Sequence, residues 1–261
     1  MNKPLLLGLL LLGTTALAQA GTQTPVDDVS AAVTDSARPA ADKDRDVNRK
    51  PAELIRFAGI KPGDKVADLI PGGGYFTRIF SKLVGPQGHV YAVVPESVAE
   101  GAPKKLDSIK ALAADPVYGN ISLITRSYEQ MSADEPLDVV WTSQNYHDVY
   151  GGVSVFAVKG TSGADETAKM DAAVFKALKP GGIYVVLDHA AKAGSNEQDA
   201  KTLHRIDPAI VIAQAKAAGF VLEARSDLLS NPQDAHDKIV FSPDIHSHTD
   251  QFVLKFRKPK N

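Results

Sequence analysis

The chain has no cysteine among its 261 residues, and that absence removes several chemistries at once. No disulfide can staple the fold, so stability has to come from packing alone. Thiol nucleophiles, cysteine-ligated zinc and iron–sulfur clusters are excluded as well. Aromatic residues are sparse at 7%, with a single Trp, and neither sign of charge dominates: 29 Lys and Arg stand against 31 Asp and Glu. A net charge of −2 without a basic stripe or polybasic segment argues against nucleic acid and against an anionic membrane surface. Small-molecule chemistry is the expectation that remains. What is present is an ordinary globular composition, 44% hydrophobic, with material for one sizeable core.

At the N-terminus, Lys3 precedes an apolar run from Leu5 to Leu12, interrupted by Gly8, and Ala18-Gln19-Ala20 closes the stretch. The run is shorter than the roughly 20 residues a membrane-spanning helix needs. The pattern reads as a signal peptide, residues 1–20, cleaved after Ala20; Pro4 and the Thr/Gln/Gly tail fit a buried helix poorly. The expected product is exported and periplasmic, since no further sorting signal follows, with no stable membrane insertion after cleavage. Residues 21–46, rich in Thr, Asp, Ala, Ser and Pro, read as a flexible mature N-terminus. The folded domain is expected over 47–261.

Within that domain, strands alternate with helices. Helical spacing marks 51–59, 75–83, 104–114, 166–178 and 208–219, with Pro and Gly punctuating their ends. Short apolar runs mark strands at 65–70, 89–94, 121–125, 137–142, 183–188, 221–225 and 252–256. Continuous apolar strands separated by helices predict a mostly parallel sheet covered on both faces. A Gly-rich, partly apolar stretch, 149–165, reads either as a lid over a substrate or as a surface loop. Tyr150, Val155 and Phe156 are its candidates for an acceptor pocket.

The glycine cluster Gly72-Gly73-Gly74 stands between the first strand and a helix. There, backbone N–H groups and the absence of side chains favour a ligand that approaches the main chain; an ordinary strand–helix turn would also use glycines. The surroundings are more specific. Asp68-Leu69-x-x-Gly72-Gly73-Gly74 resembles the first motif of class I S-adenosylmethionine (SAM) methyltransferases. Phe175 to Asp188 (FKALKPGGIYVVLD) resembles a later strand of the same fold, and Ala217-Ala218-Gly219-Phe220 its late helix-to-strand junction. The matches run in order from about residue 50 onward. The strings PGGGYFT, NYHD and LHRID are similar to a group of exported methyltransferases within that superfamily.

That resemblance implies a Rossmann-like, doubly wound, mostly parallel seven-stranded α/β sheet whose last strand runs antiparallel. It also implies SAM as cofactor, with Asp68 and the backbone of Gly72, Gly73 and Gly74 against its amino-acid part and Tyr75 beginning the helix below. The chain departs from the family pattern at three places. Ile70 stands where the first glycine usually does. Val94 replaces the acid that binds the ribose hydroxyls, leaving Glu96 as the nearest carboxylate. Ser127, with Glu129 close by, replaces the acid near the adenine. Asn145, at the end of the fourth strand, completes the expected cofactor set.

Candidate catalytic groups cluster in sequence at strand ends. His147 is expected as a base toward an acceptor hydroxyl or amine, with Asp148 orienting it. His189 ends the fifth strand, and His204 with Arg205 is expected to be exposed toward substrate. Asp207 before Pro208 reads as a helix cap. The leading expectation is methyl transfer to a small molecule by direct displacement, with the oligomeric state open. Two rivals remain: a non-catalytic small-ligand-binding protein on the same scaffold, and a metal-assisted enzyme in which His147, Asp148, Asp188, His189 and His204 converge. His246-x-His248 reads as a solvated loop.

Overall fold

The computed structural model describes residues 27–127, 130, 133, 135–156 and 159–260. The expected signal peptide and its cleavage site lie outside the described residues. The elements run α1 (Asp28–Thr34), α2 (Ala40–Lys43), α3 (Asp46–Arg49), α4 (Pro51–Ala58), β1 (Lys65–Leu69), α5 (Tyr75–Val84), β2 (His89–Pro95), α6 (Glu96–Gly101) and α7 (Pro103–Ala114). There follow β3 (Ile121–Arg126), β4 (Leu137–Ser143), α8 (Tyr146–Tyr150), α9 (Gly163–Ala177), β5 (Leu178–His189), α10 (Glu197–Leu203), α11 (Pro208–Ala217), β6 (Val221–Ser226) and β7 (Gln251–Arg257). No helix among the described residues is long and apolar enough to cross a membrane.

The seven strands form one sheet in the order β3-β2-β1-β4-β5-β7-β6. Strands β3, β2, β1, β4 and β5 pair in parallel, while β7 lies antiparallel to both β5 and β6. The chain winds outward from β1 to β3 and then from β4 to β6, so the direction of winding reverses between β1 and β4. In open sheets of this kind that reversal leaves a crevice at the carboxyl ends of the two strands, where ligands bind. The expected architecture is the observed one.

Alternation along the strands supplies a core on each face. Ala67, Val140, Tyr184 and Val186 pack with Met170 and Val174 of α9 and Val211 of α11. On the other face Val66, Val139, Trp141 and Val185 pack with Leu54 of α4 and Ile79 and Phe80 of α5. The Trp141 ring lies 4.8 Å from Phe76 and 5.5 Å from Phe80, which seats α5 beneath the carboxyl end of β1. Cap residues define the helix ends: Pro51 and Gly59 bound α4, Ser162 accepts from Asp165 to start α9, and Asn196 with Asp199 forms a capping box on α10.

Residues 27–46 differ from the flexible segment expected of them, because they fold as α1, α2 and the start of α3. Composition gave no periodic signal in helices this short; they are held by contacts to the domain. Arg38, fully buried, makes a two-pronged ion pair to Asp46, both contacts at 2.8 Å, and Arg56 of α4 reaches Asp27 at 2.8 Å.

Candidate functional site at the reversal of the sheet

The turn after β1 is shaped by a residue that dislikes its conformation. Ile70 has φ +56°, a left-handed backbone that a β-branched side chain adopts only under constraint. Its N–H donates to the Val93 carbonyl at 2.8 Å, and its carbonyl accepts from the Asn145 side chain at 3.0 Å. Across the crevice, Gln144 after β4 has φ +59°. The Asn145 amide also donates to the Ser143 carbonyl at 2.6 Å, so this expected cofactor ligand instead ties the two strand ends together.

The three glycines do different work. A side chain added at Gly72 or Gly73 would meet nothing within 4 Å, so both face open space. No hydrogen bond among the described residues engages their N–H groups. Gly74, at φ +82°, leaves no such room: a Cβ there would lie 2.5 Å from Leu112 of α7. It is a packing glycine. Arg78 holds the Gly73 carbonyl at 2.7 Å.

Asp68 is buried and accepts from the Thr77 hydroxyl at 2.6 Å. Burial pushes its carboxyl up to about 7, against the opposing pull of that hydroxyl and of Arg49. Tyr75, the first residue of α5, packs against the N-terminal helices. Its hydroxyl donates to Asp46, and its ring carries the guanidinium groups of Arg38, Arg45 and Arg49 at 5.3, 4.8 and 4.4 Å. Glu96 is exposed at the first position of α6 and Ser127 is half-buried beyond β3. No hydrogen bond among the described residues ties either to the turn, and Glu129 lies outside those residues. The turn therefore fits the amino-acid end of a nucleoside cofactor, whereas the last residues of β2 carry no carboxylate for its ribose and the next one, Glu96, is exposed.

On the other side of β4, three of the expected catalytic side chains, His147, Asp148 and His204, come together with Asp188. His147 Nδ1 lies 2.6 Å from Asp188 Oδ1, and the backbone N–H of His147 donates to Asp188 Oδ2 at 2.8 Å. His147 Nε2 lies 3.1 Å from Asp148 Oδ1 and 3.3 Å from His204 Nδ1. His204 Nδ1 lies 2.8 Å from the same Asp148 oxygen. Burial opposes a charge on His147, but the carboxylates of Asp188 and Asp148 outweigh it and raise its pKa to about 10. Both carboxylates thus favour the charged ring, and the acid at Nδ1 that orients His147 is Asp188, where Asp148 was expected. Asp148 is held well below the usual carboxylate range, since contacts from His147 and His204 overcome its burial.

His189 joins the group only at its edge. Its Nδ1 pairs with Thr249 at 2.7 Å, its ring lies 5.7 Å from that of His147, and burial depresses its pKa to about 3. Of the five residues expected to surround a metal, only His147, Asp148 and His204 bring ligand atoms within 4.8 Å of one another. Arg205, expected to face substrate, is fully buried. Its guanidinium binds Asp234 at 2.8 Å and the carbonyls of Ala190 and Lys238 at 3.0 and 2.8 Å. Asp207 caps α11 as expected, accepting from Ala209 at 2.8 Å.

Arg205 reveals what sequence reasoning missed. Residues 227–250, between β6 and β7, contain no regular element, yet they fold over the carboxyl edge of the sheet. Asp234 also accepts from the N–H groups of His236 and Asp250 at 3.0 and 2.7 Å. With α3 this segment encloses a cavity of about 200 Å³. Arg45 and Arg49 line one side, Gln144, Leu187 and His189 the strand ends, and Leu229, Val240, Phe241 and His246 the cover. Of the stretch 149–165, read either as a lid or as a surface loop, no described residue lines this cavity: Phe156 is buried in the core, and Val155 packs where a Cβ on Gly101 would lie.

No family model matches the chain. Among curated proteins it is 30% identical over 205 residues to the ubiquinone/menaquinone biosynthesis C-methyltransferase UbiE of Pseudomonas aeruginosa, covering 77% of this chain and 65% of that one. The chain spans less than two thirds of the length of the curated relatives it matches. Among solved structures it is similar to a SAM-dependent methyltransferase from Aquifex aeolicus, with a TM-score of 0.56 at 14% identity, covering 84% of this chain and 95% of that one. A protein of Bordetella parapertussis described as a possible exported protein superposes with a TM-score of 0.50 at 16% identity, covering 85% and 71%. Together with the strand order and the glycine turn, these likenesses make the fold the Rossmann-like fold of the SAM-dependent methyltransferases.

Proposed function

We propose that the chain is a SAM-dependent methyltransferase that modifies a small molecule outside the cytoplasm. The observation that carries this reading is the turn at Ile70–Gly74. Ile70 holds it in a left-handed backbone at the reversal of the sheet, its two glycine N–H groups are unengaged, and Asn145 ties it to the end of β4, from which α8 carries His147 and Asp148. SAM would supply a methyl group on a sulfonium, already activated for displacement. What the chain must add is alignment and exclusion of water. Gly72 and Gly73 offer N–H donors to a carboxylate, Asn145 fixes the distance between the two walls, and residues 227–250 cover the adjoining cavity. Asp148 and His204, the partly exposed members of the cluster, are the groups within reach of an acceptor. The nearby arginines Arg45 and Arg49 favour an acceptor with anionic character. Export rests on the sequence of residues 1–20.

Calorimetry with SAM and with S-adenosylhomocysteine tests the cofactor. Gly73→Asp is the informative variant, because its side chain enters open space and sets a negative charge against the ligand carboxylate. Micromolar binding that this substitution abolishes supports the reading. Failure of the unsubstituted chain to bind either nucleoside sinks it and leaves a ligand-binding scaffold. For export, N-terminal sequencing of the protein recovered from the periplasmic fraction should begin at Gly21.

A further inference from the structure

We propose that His147, Asp148 and His204 bind a divalent transition-metal ion through two imidazoles and one carboxylate, independently of any methyl transfer. The three ligand atoms lie 2.8, 3.1 and 3.3 Å from one another. Tetrahedral bonds of about 2.0–2.1 Å to zinc place neighbouring ligand atoms about 3.3 Å apart, so the triangle needs to widen by only a few tenths of an ångström to seat the ion.

Hydrogen-bond logic points the same way. A carboxylate only accepts, so Asp188, 2.6 Å from His147 Nδ1, requires the proton on that nitrogen. Nε2 is then the ligating atom, and it points at Asp148. A carboxylate behind a histidine, fixing its tautomer and its plane, is the arrangement that supports histidine ligands in metal sites. Asp188 is itself held, accepting the backbone N–H groups of His147 and His189 at 2.8 Å each. A dication would also balance the two carboxylates, Asp148 and Asp188. A proton on Nε2 satisfies the same contacts, and the two occupants differ in whether metal is retained.

The frame is rigid. Asp148 lies on α8, which approaches α10 so closely that a Cβ on Gly151 would lie 2.6 Å from the Lys201 nitrogen. His204 ends α10 at φ +55°, and the next residues run alongside the end of β5 through the bridge between Ala190 and Ile206. Three protein ligands leave a coordination position for a further molecule, which marks reactive rather than structural sites. The position is close to the cavity: the cavity residues His189 and Phe241 have ring centroids 5.7 Å from His147 and 4.9 Å from His204. An oxygen donor such as a hydroxyl or carboxylate is the class of ligand it would take.

The test is equilibrium dialysis of the full chain against Zn²⁺ with elemental analysis, repeated with Co²⁺ for its absorption spectrum. One ion per chain is expected, with a tetrahedral cobalt spectrum. His204→Asn, in which asparagine tolerates the left-handed backbone, and Asp148→Asn should each weaken retention at least 100-fold. Asp188→Asn should weaken it about 10–100-fold, whereas His248→Ala, at an exposed site, should retain the ion. Circular dichroism of each variant separates lost ligands from lost fold. Absence of stoichiometric metal in the unsubstituted chain, or equal retention by folded His204→Asn and Asp148→Asn, overturns the proposal in favour of the shared proton. SAM titration of the same samples reports on the methyltransferase reading separately.

Discussion

Ile70, Gln144 and Asn145 form the joint on which the crevice depends. Left-handed backbone at a β-branched residue costs about 1–3 kcal/mol, and here it is sustained by the bonds that Val93 and Asn145 make to Ile70. Replacing Asn145 with Ala should remove two hydrogen bonds and lower stability by about 1–3 kcal/mol, read as an earlier urea midpoint. Asp188→Ala has a larger expected effect, about 3–5 kcal/mol, because it leaves the buried His147 without its carboxylate; the same measurement checks it. At this scale the residue types were legible and their pairings were not. His147, Asp148 and His189 stand at strand ends in the sequence, and His204 shortly before a helix. Whether Asp148 or Asp188 orients His147 is decided by how α8 meets β5, a tertiary fact. Arg205 looked exposed because its partner Asp234 lies far along the chain, in a segment with no periodicity.

Helix α8 is held from three sides, by α9, α10 and β5, and the contacts are close enough to make specific demands. Gly151 has an ordinary negative φ of −79°, so Gly151→Ala is opposed by the close backbone of Ala200 and Lys201. It should cost about 1–3 kcal/mol in thermal unfolding and push Asp148 away from His204. Beneath α8, Asp171 of α9 accepts from the Tyr146 and Tyr184 hydroxyls at 2.9 and 3.1 Å. Burial pushes its carboxyl from 3.8 up to about 7 despite those two donors. Between about pH 4 and 7 the unfolded chain gives up a proton that the folded protein keeps, so stability falls as pH rises through that window. Asp171→Asn removes this contribution, and its stability relative to the unsubstituted chain should rise from pH 4.5 to pH 8 in parallel urea titrations. Every strand of the sheet was legible, since continuous apolar runs and Gly/Pro punctuation survive without context. Helices α2 and α3, four residues each, were not, because isolated helices that short have no stability of their own and depend here on Tyr75, Asp46 and the arginines around them.

Across the whole molecule, the cover over the cavity hangs on few attachments, and Arg205 is the deepest. Arg205→Ala should leave Asp234 buried and unpaired, lowering stability by about 3–5 kcal/mol and raising the rate of proteolytic cleavage within 227–250 while the sheet resists digestion. Limited proteolysis followed by mass spectrometry checks the location of the first cut. The fold class was readable because layers follow from alternation; the cavity was not, since it is enclosed by α3 and by a cover far apart in sequence. The strand order carries one more consequence, and it concerns time. β7 follows β6 in sequence yet lies between β5 and β6 in space, pairing with both. Until residues 251–257 arrive, β6 has no neighbour, β5 presents a bare edge, and Gln251 is missing from the cavity wall. The cover of residues 227–250 is the loop that this late insertion pulls shut. A chain still being made therefore holds that edge unformed until β7 is in place.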